Sequence, residues 1–558
     1  MTDGQRADTQ RRETSRLLRA LGAAWRRLES CVPGAAARSP VCIRRTPRRR
    51  GSILVIVLVV VAVLSLAAYS FNEVMLSENE VTQMAGRQIQ AYSLAASGVA
   101  DLRIFLLQDA ATMQEAGGWY DNPDRFQGIP VVQEEGELEA GRFTVLAPAW
   151  DADGNAAGIR YGLEDESARV NLNALIALEK LGASLAQETT GRDLLMALPG
   201  MTEDVADAIL DWLDEDEEPR EYGAESEYYA GLSPSYAPKN GQLETVEELL
   251  LVRGVTPQLL FGADVNRNGM IDAGELEQSG AVLTDTETLT TGWANLLTVY
   301  SKEGTLNAEG LPRINLNEED LQTLYDSLLL VFPEEWAIFI VAYRQTDPYT
   351  GSEAGEVYSE GELDLSQASK RKLSQVLDLV GAKVQIQFRG AQQPTILQSP
   401  FANDTVSMAT YLPQLMDQVT TVSTSAIPGR ININHAPRAI LAGIPGMTEE
   451  IVEQVLAFDR TSNAPELQHE TWLLTQGLVT LEEMKALMPF VCAGGDVYRA
   501  QVVGYYDDGR AASRLEVVLD ATQQPPAVLL WRNLSHLGRG YPLETLGMGS
   551  GSGEVVIE

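Results

Sequence analysis

Residues 264–275, Asp-Val-Asn-Arg-Asn-Gly-Met-Ile-Asp-Ala-Gly-Glu, place oxygen side chains at the first, third, fifth and ninth positions, glycine at the sixth and glutamate at the twelfth. This is the spacing of an EF-hand loop, in which glycine makes the sharp turn and the last glutamate binds through both oxygens. Asp264, Asn266, Asn268, Asp272, Glu275 and the carbonyl of Met270 are therefore a candidate calcium set. An Asn-Gly surface loop that holds no ion is the alternative. The flanking helical stretches, residues 257–261 and those after Gly274, are short, which fits a structural clip better than a sensor that opens on binding.

A second concentration of carboxylates runs through Asp211-Trp212-Leu213-Asp214-Glu215-Asp216-Glu217-Glu218, followed by Gly223-Ala224-Glu225 and Tyr228-Tyr229. Crowded like charges call for a counter-ion, which makes Asp211, Asp214, Asp216 and Glu218 a weaker cation set; a solvated acidic loop explains the same residues. The three histidines, His435, His469 and His536, have no ligand spacing, so zinc is not expected. No Ser-His-Asp, Cys-His, Walker or Rossmann arrangement is present, and paired carboxylates alone do not make a hydrolase. Catalytic residues are not assigned, and the chain reads as something other than an enzyme.

The third chemical feature is a junction. Arg48-Arg49-Arg50-Gly51-Ser52 leads directly into residues 53–71, which contain no charged side chain. As a helix these span roughly 28 Å, about one bilayer core. Arginines precede the run and Glu73, Glu78 and Glu80 follow it, so the positive-inside rule leaves the N-terminus cytoplasmic and the rest outside. Three readings compete here. A secretory signal peptide needs a shorter apolar region and a small-residue cleavage site after it. An uncleaved signal anchor needs nothing more than the run itself. The third is a processed junction, cut after Gly51 to leave Ser52 as the new N-terminus.

The elements that must carry these sites follow from charge and periodicity. The 558 residues have a net charge of −36, divided into +9 for residues 1–51 and −45 for the remainder. So acidic an outer part repels nucleic acid and anionic headgroups, and suits divalent cations. It keeps one cysteine, Cys492, and cannot close an internal disulfide. Met75, Val81, Met84, Ile89, Leu94, Val99, Leu102, Ile104 and Leu106 continue helical spacing beyond the apolar run, with a small-residue stretch at 91–99. Strand-like segments at 141–148 and 157–164 find counterparts only at 496–506, 513–520 and 527–533. One antiparallel sheet packed on the helix, interrupted by an insertion from about residue 165 to 490, is the simplest topology.

Within the insertion Arg169-Val170-Asn171-Leu172-Asn173, Arg313-Ile314-Asn315-Leu316-Asn317 and Arg430-Ile431-Asn432-Ile433-Asn434 repeat one pattern. Two are followed by near-identical hairpins, Leu198-Pro199-Gly200-Met201-Thr202 and Ile444-Pro445-Gly446-Met447-Thr448; the middle one lacks the Pro-Gly turn. Such hairpins resemble a helix-hairpin-helix, which grips phosphate with backbone N–H groups. Here a threonine replaces the second glycine of the DNA-binding form, and Glu203, Asp204, Glu449 and Glu450 follow, so packing rather than nucleic-acid binding is expected.

The expected fold is α+β: a long N-terminal helix, half of it transmembrane, on a pilin-like antiparallel sheet, with a large mainly helical insertion containing helix-hairpin-helix-like repeats. The expected divisions are a basic leader at 1–51, the N-terminal helix at 52–110 and the first part of the β domain at 111–166. A helical module with the EF-hand-like loop follows at 167–300, a degenerate second module at 301–428 and a third at 429–492. The rest of the β domain occupies 493–535 and a flexible tail 536–558.

The junction resembles a prepilin cleavage site. Most prepilins carry glutamate at the fifth mature position, but Ile56 stands there, as in the type II secretion protein K branch. A carboxylate in hydrocarbon is costly without a partner, so a subunit with no neighbour to pair with is better without it. Together with residues 162–166, 169–173, 198–254 and 427–447, the chain resembles the type II secretion system protein K family, minor pseudopilins. That resemblance implies cleavage by prepilin peptidase after Gly51 and a single pass through the inner membrane with the bulk in the periplasm. It implies a place at the filament tip with the I and J minor pseudopilins, contact with the major pseudopilin and the inner-membrane platform, and calcium in the insertion. A minor pilin of a type IV pilus or competence machine, and a membrane-anchored DNA-binding protein, are the alternatives. The family does not vouch for residues 301–428 or for the EF-hand-like loop.

Overall fold

A computed structural model describes residues 52–132, 140–151, 156–184, 190–278, 292–357, 361–458, 460 and 464–548. The leader, with Gly51, lies outside the described residues, as does the last part of the tail. Contacts divide the chain into two compact bodies, with the division between Asn79 and Glu80.

Helix α1, Ser52–Phe105, runs through that division. It is the one described helix long and apolar enough to cross a membrane. Up to Asn79 its side chains from Ile53 onward are exposed, which suits lipid. Beyond Glu80 a stripe of Ala91, Leu94, Ala95, Val99, Leu102 and Phe105 is buried. Met84, Ile89 and Ile104, expected on the same face, are exposed. Small residues rather than large apolar ones carry the contact, because the helix lies close to the sheet. A Cβ at Gly504 would come within 2.3 Å of the Ala91 carbonyl oxygen, and one at Gly98 within 2.7 Å of the Phe143 ring.

The sheet is antiparallel and seven-stranded. Its strands are β1 (Ile129–Val132), β2 (Gly141–Trp150), β3 (Ala156–Arg160), β4 (Glu164–Asp165), β5 (Val497–Tyr506), β6 (Ala512–Asp520) and β7 (Ala527–Asn533). The path is β1-β2-β5-β6-β7, with β3 on β2 and β4 on β5. Pairing of β2 with β5 joins residues about 360 apart, such as Val145 and Val502, so the insertion leaves and re-enters one continuous sheet. The segment after β7 is packed rather than free: Tyr541 and Leu546 are buried with Leu146, Val503 and Tyr505. The flexible tail expected from residue 536 thus gives way to an ordered stretch through Met548, held because its apolar side chains cover the face of the sheet opposite the helix.

The insertion has a single hydrophobic core extending from Val170 to Val491. Each Arg-[Ile/Val]-Asn-X-Asn repeat opens a unit in the same way. Val170–Asn171, Ile314–Asn315 and Ile431–Asn432 pair in parallel with Leu297–Thr298, Val419–Thr420 and Val491–Cys492. The first asparagine's oxygen accepts the N–H two residues on, at 3.0 Å for Asn171, 2.9 Å for Asn315 and 2.9 Å for Asn432. The second donates to the unit's distant loop, at 2.9 Å from Asn173 to Leu243, Asn317 to Leu373 and Asn434 to Leu467. Asparagine suits both places because it supplies donors and an acceptor to backbone groups that two-residue strands leave unpaired.

Candidate metal centre

In the first unit the helix Glu203–Leu213 follows a turn through Gly200, whose φ of 70° lies in the left-handed region that favours glycine. The helix buries both Asp207 and Asp211. Burying carboxylates requires partners, and arginines supply them. Arg192 bonds Asp207, while Arg220 donates from Nη1 to Asp211 Oδ1 at 2.8 Å, from Nη2 to Glu179 Oε2 at 3.0 Å, and also to Asp214 Oδ2.

Arg220 leaves part of the acidity unanswered. One carboxylate oxygen each from Asp214, Asp216 and Glu225 lies within 4.8 Å of the others, the one acidic trio so gathered among the described residues. Both oxygens of Glu225 and Oδ1 of Asp214 are buried and accept no hydrogen bond. Glu225 is only 5% exposed, and burial, with Asp211 and Asp214 next in weight, pushes its pKa up to about 7. Burial likewise raises that of Asp214. Such a site takes up a proton or a hard cation, and carboxylate oxygens of this kind, completed by water, suit calcium.

Of the four residues expected here, Asp214 and Asp216 are in the trio. Asp211 is not, being held by Arg220, and Glu218 contributes only its N–H, to Asp216 Oδ1 at 2.9 Å. Glu225 is the member of the trio that local spacing did not single out. Its signal was the Gly-Ala-Glu that follows the acidic run, brought back when the chain turns at residues 219–224.

The EF-hand-like loop is closed on itself. Asp264 accepts the N–H groups of Asn268 at 3.0 Å and Gly269 at 2.8 Å. Glu275 accepts those of Asn266 at 2.9 Å and Asp272 at 3.0 Å. Asn266 Nδ2 donates to Asp272 Oδ2 at 2.8 Å, its Oδ1 is buried without a partner, and Met270 donates its N–H to Asn268 Oδ1 at 2.8 Å. Burial, against the bonds from Gly269 and Asn268, pushes the Asp264 pKa up to about 6. The short flanking helices are Pro257–Phe261 and Ala273–Gln278. The loop also rests on the sheet and the ordered tail: Gln501 donates to the Arg267 carbonyl at 2.6 Å, Asn268 to the Gly540 carbonyl at 2.6 Å, and Tyr541 to the Asn268 carbonyl at 3.2 Å.

At the membrane end, Ser52 is the first residue of α1 and Ile56 is exposed on it, as lipid or neighbouring helices require. Gly51, the other processing residue, lies outside the described residues.

A helix long and apolar enough to cross a membrane, an antiparallel sheet, and a mainly helical insertion that gathers three carboxylates define the class of molecule. Residues 168–261, which contain that cluster, match the family model described as Type II secretion system (T2SS), protein K. A Type II secretion system protein K from Klebsiella pneumoniae is 29% identical over 221 residues, 38% of this chain and 60% of the relative. The chain therefore matches less than two thirds of that relative's length. A solved structure, the GspK-GspI-GspJ complex from the enterotoxigenic Escherichia coli Type 2 Secretion System, shares 13% identity at a TM-score of 0.27, covering 82% of this chain and 98% of that one. The family model and the curated relative support the type II secretion system protein K family, the family the residues resemble.

Proposed function

We propose that the chain is a minor pseudopilin of a type II secretion system, acting by assembly rather than catalysis. The observation that carries this is the family match over residues 168–261, which covers the larger part of the insertion's first unit, its acidic trio included. Prepilin peptidase cuts after Gly51, the freed helix enters the inner membrane among its neighbours, and the bulk lies in the periplasm. Ile56 and the width of the insertion favour a place at the filament tip, beside the I and J minor pseudopilins and above the major pseudopilin and the inner-membrane platform.

Calcium belongs to the same proposal. Asp214, Asp216 and Glu225 form the first site, and the loop of Asp264, Asn266, Asn268, Met270, Asp272 and Glu275 a second. Each draws a stretch without much regular structure into a fixed shape. The Pro-Gly hairpins serve packing. Supporting this, Leu198, Met201, Ile444 and Met447 are buried, and a Cβ on Gly443 of one hairpin unit would lie 2.7 Å from Ala197 of the other.

N-terminal sequencing of the membrane-extracted protein tests the processing, with Ser52 expected first; an intact N-terminus upstream of Gly51 refutes it. In the host, loss of the gene leaves secreted proteins trapped in the periplasm. The full chain restores export, and a chain lacking residues 165–490 does not.

A further inference from the structure

Residues 370–372, Lys-Arg-Lys, are the one run of three consecutive basic residues after the leader, in a portion of the chain that otherwise carries a large negative charge. They lie in the second unit, outside the family match. Arg371 lines an open pocket of about 370 Å³ together with Lys383, Lys485, Tyr343, Tyr349 and Asp378. Two cations come from the second unit and Lys485 from the third, so the pocket forms only where the two units meet. Gln375 Nε2 bonds the Lys485 carbonyl at 3.1 Å across the same seam.

The arginine is held rigid. Its guanidinium carbon lies 3.8 Å from the centre of the buried Tyr343 ring, and Nη2 donates to the Tyr343 hydroxyl. Nη1 is buried and has no hydrogen-bond acceptor, so the arginine's charge is left without a counter-ion among the described residues. Asp378, the carboxylate at this pocket, is engaged elsewhere, accepting the N–H groups of Ser374 at 2.9 Å and Gln375 at 3.2 Å. Lys383 Nζ reaches only a backbone carbonyl, that of Glu353 at 2.9 Å. Lys485 has Glu482 at 3.4 Å, a carboxylate 84% exposed, where such pairs contribute little. Gathered cations repel one another unless an anion joins them. A fixed guanidinium charge stacked on a ring and flanked by ammonium groups is an arrangement that attracts carboxylates, with the arginine giving charge and the lysines the donors.

We propose that this pocket binds an acidic peptide segment of a partner protein, its carboxylates bonded by Lys383 and Lys485 and held there by the charge of Arg371. The second unit thereby becomes a docking module, independent of the assembly role proposed above.

The test uses the full chain in detergent and a fluorescent peptide with three consecutive glutamates, followed by anisotropy. Saturable binding is expected, weakening as salt rises. The same peptide with glutamines in place of the glutamates should not bind. Arg371→Gln and Lys485→Gln should each weaken binding about tenfold or more. Lys485 lies near the surface of a helix, so Lys485→Gln keeps the test decisive should Arg371→Gln disturb folding; unchanged melting of each variant is checked alongside. Equal binding of the glutamine peptide, or full affinity in Lys485→Gln, overturns the proposal. So does capture by anionic phospholipid vesicles that is lost in these variants while the peptide fails to bind, because the occupant would then be a headgroup.

Discussion

Asn432 donates its amide to Asp165 at 2.7 Å, joining the residue where the sheet gives way to the insertion to the opening motif of the insertion's last unit. The same carboxylate accepts the N–H of Gly495, where the chain returns to the sheet, at 2.7 Å, and that of Ser167 at 2.7 Å. One buried side chain thus ties both ends of an insertion of more than 300 residues. Burial, partly offset by these bonds, raises its pKa to about 6.

Asp165→Ala should therefore cost about 3 kcal/mol or more, since it strands several buried donors at once. Urea unfolding followed separately by β-domain and insertion probes checks this. The two transitions should coincide in the wild type and separate in the variant.

Calcium should stabilise the protein in a pH-dependent way through Glu225. Its folded pKa, about 7, lies above the ordinary glutamate value of 4.5, so without metal the folded state binds more protons between these values. Stability from this group then falls as pH rises from about 4.5 to about 7. Calcium must displace that proton below pH 7 and need not above it. Thermal unfolding with calcium against chelator should show a larger gain at pH 8 than at pH 5.5, about 2.7 kcal/mol at a hundredfold excess over Kd. Glu225→Gln should shrink the difference to the part that Asp264 of the second site carries.

Titration calorimetry should count two calcium sites per chain. Glu275→Gln removes the second and leaves the first, and hydrogen exchange should then speed up in residues 264–275 and in the tail at 538–548, because the loop rests on Gly540 and Tyr541. A single site in the wild type would falsify the EF-hand-like assignment if Glu225→Gln removed it.

Two glycines separate necessity from accident. Gly504→Val drives a side chain into the backbone of Ala91 and Ala95 and should cost about 3 kcal/mol or more. Gly86 lies within α1 with nothing within 4 Å of an added Cβ. Gly86→Ala should gain up to about 1 kcal/mol from helix propensity alone. Chemical denaturation of both variants gives the comparison.

Much of this was legible without coordinates where the physics is local. An uncharged run long enough for a bilayer, strands bounded by turn residues, and repeats of Arg-[Ile/Val]-Asn-X-Asn are set by neighbours within a few positions; the run at 53–71 is helical, the stretches expected at 141–148, 496–506, 513–520 and 527–533 are strands to within two residues at either end, and the one expected at 157–164 breaks after Arg160. The EF-hand-like spacing is local in the same sense, since one short loop supplies all its oxygens. What the tertiary structure decided depends on burial and distant partners. Arg220 withdraws Asp211 from the acidic cluster and the turn at 219–224 brings Glu225 in its place, because charge pairing in a desolvated site outweighs proximity in the chain. Tyr541 and Leu546 fold back because the open face of the sheet needs apolar cover. Arg371, Lys383 and Lys485, more than 100 residues apart at their extremes, become one pocket only when the second and third units meet.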